Sequence, residues 1–73
     1  MRDKNRIREF LEEIADLWEE EPFTDWRFGQ FMCNFMGWVY QIKQRDAFFL
    51  EEDQFIQYLK EYVGEVNDGE SYF

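Results

Sequence analysis

The chain has 73 residues, with 8 Lys and Arg against 17 Asp and Glu for a net charge of −9, no histidine, one cysteine and 22% aromatic residues. That length holds one domain, residues 1–73. One cysteine excludes an intramolecular disulfide, zinc is left without a ligand set, and the acidic balance speaks against direct nucleic-acid contact and against an anionic membrane surface.

So short a chain buries only ~60% of its unfolded surface. Nine Phe, four Tyr and three Trp are more rings than such a core absorbs, so some belong in a contact surface. The first predicted element is a helix over about residues 4–21. Asp3 or Asn5 serves as its N-cap. Ile7, Phe10, Leu11, Ile14, Leu17 and Trp18 recur at the 3–4 spacing of a buried stripe, and Pro22 stops the helix. Its other face carries Glu9, Glu12, Glu13, Asp16, Glu19 and Glu20. The charge order is unfavourable: cations lead and carboxylates trail, against the helix dipole, at a cost of ~0.3–1 kcal/mol for each misplaced charge. Like charges four apart, such as Glu9/Glu13, Glu12/Asp16 and Asp16/Glu20, add ~0.2–0.5 kcal/mol of repulsion per pair. A solvated face is the plain account of such a run; an acidic ridge used by a cationic partner is the functional one.

A second helix is expected over about 25–43, capped by Thr24 and Asp25. From Trp26 to Ile42 the sequence is apolar except at Arg27, Gly29, Gln30, Asn34, Gly37 and Gln41, with no wide polar stripe, which places this helix inside the fold. Phe28, Phe31, Met32, Phe35, Met36 and Val39 form the main buried face, with Met32 and Met36 as core fillers; Trp26, Cys33 and Tyr40 mark a second side. Gly29 and Gly37 suggest close backbone approach, and Cys33 reads as an inert buried thiol. The stretch is shorter than the ~20 residues of a membrane span, and the charged N-terminus is no secretory signal, so a cytoplasmic protein is expected.

Residues 43–50 form a short connector, with Phe48-Phe49-Leu50 extended and tucked under the helices. Glu51, Glu52 and Asp53 then load the first turn of a third helix, about 51–63, the favoured place for acid. Phe55, Ile56, Leu59, Tyr62 and Val63 form its apolar face, and Gly64 is its stop. The last nine residues, EVNDGESYF, read as a frayed acidic tail with Tyr72 and Phe73 exposed. The fold class is therefore all-α: a small bundle of three main helices around a central hydrophobic one.

Catalytic chemistry is missing from the sequence. No histidine is present to complete a triad, the one serine (Ser71) lies in the tail, and no glycine-rich phosphate cradle occurs. The carboxylates sit on predicted outer faces rather than in the apolar setting that raises an acid's pKa. Asn67-Asp68-Gly69-Glu70 lacks the repeated ligands of a calcium loop. The expectation is a non-enzymatic protein without cofactor or metal.

The segment from Leu17 to Ile56 resembles an uncharacterised group of small acidic proteins of bacteria and their phages. The resemblance rests on Leu17-Trp18, Pro22, Arg27-Phe28-Gly29-Gln30, Asn34, Asp46, Phe48-Phe49, Glu52-Asp53 and Phe55-Ile56. It departs from the group's pattern in inserting Phe23-Thr24 before Asp25, in placing Trp26 where leucine is usual, and in a longer aromatic stretch before Asp46. It implies a small helical fold and, for a phage protein, a host-directed inhibitor; it supplies no activity.

Two functions follow. In the first, the chain is a protein-binding module and inhibitor, an acidic decoy of the anti-CRISPR or anti-restriction kind that blocks a basic nucleic-acid-binding surface. Its contacts are Glu9, Glu12, Glu13, Asp16, Glu19 and Glu20, with Glu51, Glu52 and Asp53 as a second patch. In the alternative it is a structural or adaptor protein that self-associates as a homodimer through exposed Trp26, Trp38 and Tyr40.

Overall fold

The computed structural model describes residues 2–68, which form three helices and no strand: α1 (Asn5–Trp18), α2 (Phe28–Trp38) and α3 (Glu52–Asn67). The expected behaviour of Tyr72 and Phe73 lies outside the described residues. No helix among those described is long and apolar enough to cross a membrane.

α1 and α3 lie along each other with parallel sense. Arg2 and Arg6 reach Glu51 and Glu52 at one end, Phe10 meets Phe55 edge-on, and at the other end Asn67 donates to Glu20. α2 crosses α3 instead of following it. Phe35 packs on both Phe55 and Tyr62, after which Trp38 and Lys43 reach Tyr58, Glu61 and Glu65 on the flank of α3. The core is largely aromatic. Phe23, Phe31, Phe35 and Tyr62 are fully buried with Val39 and Leu59, and Phe10, Leu17, Trp18, Trp26 and Phe55 close its edges.

The helix boundaries differ from those expected, for local reasons. α1 ends at Trp18, four residues before Pro22. Phe23–Asp25 then forms a 3-10 turn that buries Phe23, and Trp26 and Arg27 run extended, so Thr24 and Asp25 do not cap α2. A completely buried ring outweighs a cap worth ~1 kcal/mol. At the start of α1, Asp3 accepts from the Asn5 amide, one step ahead of the usual capping position. α2 passes into a π-helical turn, Val39–Lys43, and Gln44 at φ 56° reverses the chain. Gly64 does not stop α3, which runs to Asn67 with Val63 and Val66 against the core, so residues 65–67 of the expected tail are helical.

Burial of α2 is one-sided. Phe31, Met32, Phe35, Trp38 and Val39 are buried, but Phe28 and Met36, expected inside, are about half exposed, and Cys33 is an exposed free thiol. A Cβ added at Gly29 or Gly37 would meet nothing within 4 Å, so neither glycine admits a neighbour. On α1, Ile7 and Leu11 are likewise exposed and only Ile14 is fully covered. Phe48 and Phe49 are not tucked away. Asp46 accepts from the Phe48 amide, a 3-10 turn over Ala47–Phe49 follows, and Ala47 rather than either ring enters the core.

Candidate functional site

α1 presents the acidic residues the sequence singles out as one solvated face. Taking 100° per residue, Glu9, Glu12, Glu13 and Asp16 fall within a sector of roughly 100° opposite Ile14; Glu19 and Glu20 follow in the turn beyond the helix end, and all six are exposed. Among the described residues, none of Glu9, Glu12, Glu13, Asp16 and Glu19 forms an ion pair. Glu20 accepts from Asn67 at 2.8 Å. The first turn of α1 has no acid and its last turn no base, so the helix dipole opposes Asp16 and the glutamates just beyond it.

The second acidic patch is partly neutralised. Glu51 takes Arg2 at 3.0 Å through both carboxylate oxygens, and Glu52 takes Arg6 Nε at 3.1 Å. Asp53 accepts from the amide of Gln54 and remains exposed. Because α1 and α3 run parallel, Glu9 and Glu13 share one shallow groove on their seam with Glu52 and Asp53, above Phe10, Ile56 and Arg6. The two acidic sets thus form one continuous surface, a junction that sequence spacing could not reveal because it depends on how α1 docks.

The aromatic set proposed from sequence is not brought together. Trp38 is buried, and its indole N–H donates to Glu65 at 2.8 Å. Trp26 is half-buried between Phe23 and Phe31, and its carbonyl accepts from the Trp18 indole. Tyr40 alone of the three stands in solvent. Sequence reasoning missed Phe48 and Phe49, the most exposed large apolar side chains among the described residues; Asp46 two residues ahead of Phe48, a turn-capping arrangement, was the available signal.

Two titrating groups serve the fold. Lys43 donates to Glu61 at 2.8 Å, which raises its pKa, and its ammonium sits 5.5 Å from the Trp38 ring centre and 5.2 Å from that of Tyr58. The Tyr62 hydroxyl is buried without a hydrogen-bond partner among the described residues, and desolvation pushes its pKa up to about 12. No group of three or more His, Cys, Asp or Glu among the described residues could hold a metal ion. Comparisons with protein-family models, curated proteins and solved structures find no match to this chain.

Proposed function

We propose that the protein is a non-enzymatic, acidic protein-binding module whose α1 face docks onto a basic surface of a partner, in the manner of a decoy for nucleic acid. The observation that supports this is the unpaired carboxylate ridge from Glu9 to Glu19, kept on a helix where dipole and mutual repulsion both act against it. Adjacent carboxylates on such a face are ~5–6 Å apart, against one phosphate charge per ~1.7 Å of duplex axis. The ridge carries roughly a third of the duplex's linear charge density, a partial imitation of a phosphate track, and opposite charge steers the encounter. The groove on the α1–α3 seam extends the ridge toward Asp53, while Arg2 and Arg6 weaken the contribution of Glu51 and Glu52. Blocking an RNA-guided nuclease or a restriction endonuclease is the form of inhibition this surface suits.

The test compares the wild-type chain with a Glu12→Lys, Glu13→Lys, Asp16→Lys variant. Each is used to capture partners from bacterial lysate and to inhibit a panel of such nucleases. Wild type should retain nucleic-acid-binding proteins at low salt and release them as salt rises, because exposed charge pairs are screened within ~8 Å at physiological ionic strength. The variant should retain none while keeping its helical circular dichroism. Capture or inhibition that survived the triple reversal would refute the reading.

A further inference from the structure

Among the described residues, the segment that carries the chain from α2 back to α3 holds the most exposed large apolar side chains. Tyr40, Ile42, Phe48 and Phe49 fall within ten residues and are 70, 47, 82 and 73% exposed. Both phenylalanines stand on a structured turn, held edge-to-face at 4.9 Å between ring centres, with Asp46 fixing the turn through the Phe48 amide. The base of this arm is anchored by buried Val39 and Ala47 and by Lys43 on Glu61. A rigidly mounted apolar arm left in water is what an interface presents before its partner arrives.

Charge selects the occupant. A two-fold interface brings a patch against itself, so the patch must carry either no charge or both signs. Most of the surface fails that requirement, since each copy carries −9 and pairing α1 faces would stack carboxylates on carboxylates. The arm satisfies it with both signs: the charges from Val39 to Leu50 are Lys43, Arg45 and Asp46. Lys43 is paired with Glu61, the flanking Glu51 is paired with Arg2, and exposed Arg45, free of ion pairs among the described residues, is followed directly by exposed Asp46. Area agrees. With ~200 Å² per ring, the exposed parts of Tyr40, Phe48 and Phe49 come to about 450 Å² per molecule. Covered completely, two copies with Ile42 added bury at most ~1,000 Å², the lower limit for a specific interface.

We infer that the arm formed by residues 39–50 is a homodimer interface, in which Phe48 and Phe49 of one copy pack on the same arm of a second and the acidic α1 faces remain free. This rests on the exposed rings and not on the decoy reading, and either can fail without the other.

Sedimentation equilibrium of the full chain under reducing conditions, from ~10 µM to ~1 mM, tests it. Wild type should approach the mass of two chains reversibly at the upper end. Phe48→Ala with Phe49→Ala should raise the dimer dissociation constant at least ~30-fold, as expected for central hot-spot rings. Both positions are exposed, so the fold should be retained, as circular dichroism would verify. Arg45→Glu, which places a carboxylate on each side of the axis, should weaken the dimer ~10-fold at low salt and less at high salt. A single-chain mass at the highest concentration would overturn the inference. So would a dimer indifferent to loss of both phenylalanines, or one present only without reductant, which would be a Cys33 disulfide.

Discussion

α1 and α3 have similar lengths, 14 and 16 residues, and run side by side, yet they are held very differently. α3 buries Ile56, Leu59, Tyr62 and Val63 and starts with acid in its first turn. α1 buries Ile14 alone, has no acid in its first turn, and carries Asp16 in its last turn, where the dipole opposes it. One helix supplies the scaffold and the other a surface. Where charge is retained on the less anchored element at a cost to its own helix, stability is not what placed it there. That is the physical content of the decoy proposal.

Truncation should show the contrast most strongly. Leu59→Ala empties a fully buried site on α3 and should cost ~2–5 kcal/mol in urea unfolding, against less than ~1 kcal/mol for Leu11→Ala on half-exposed α1. Equal losses would mean that α1 is as integral to the core as α3. The next effect is alkaline. Tyr62 titrates near 10 when unfolded and about 12 when folded, so its contribution is complete below pH 10 and is lost as pH rises through 12. That loss is on the order of 2 kcal/mol. Tyr62→Phe should remove this part of the alkaline decline and raise stability near neutral pH by ~1 kcal/mol, because a buried hydroxyl without a partner is eliminated. An unchanged alkaline limb in the variant would show that the hydroxyl is hydrated.

Smaller effects sharpen the comparison on the α1 side. Asp16 lies in the last turn of α1 with Glu12 and Glu20 four residues away on either side. Asp16→Lys should therefore raise the unfolding free energy by ~0.5–1 kcal/mol, from a corrected dipole interaction and the Glu12 repulsion turned to attraction. A less stable variant would show that Asp16 has a structural role. Arg6→Gln, which breaks the partly exposed pair with Glu52, should cost no more than ~1 kcal/mol. Hydrogen exchange adds a map: amides of α1 should exchange before those of α3, whose buried residues span the helix, and the reverse order would break the contrast.

The buried face of α3 was readable because a 3–4 apolar spacing encodes one such face whatever covers it; on α1 the same spacing located the helix but not its cover, since Ile7 and Leu11 of the expected stripe stand in solvent. Glu9, Glu12, Glu13 and Asp16 fall opposite that face by geometry alone. α2 resisted the same reasoning. A helix apolar on nearly every side offers no phase from which to choose the covered one, and the packing of the fold covers Phe31 and Phe35 while leaving Phe28, Cys33 and Met36 in water. Trp38 was misjudged as a surface contact for the same reason: its burial and its bond to Glu65 arise where α2 meets the flank of α3.

By itself the sequence determined that the chain is helical, that two of its helices are amphipathic, and that negative charge leads away from the core, because these follow from local periodicity and residue chemistry. Only the tertiary structure decided which carboxylates Arg2 and Arg6 neutralise, that Glu9 and Glu13 meet Asp53 across a seam, and that Phe48 and Phe49 stand in solvent. Those outcomes depend on the angle and direction at which helices pack, and such geometry is set by contacts between residues far apart in the chain.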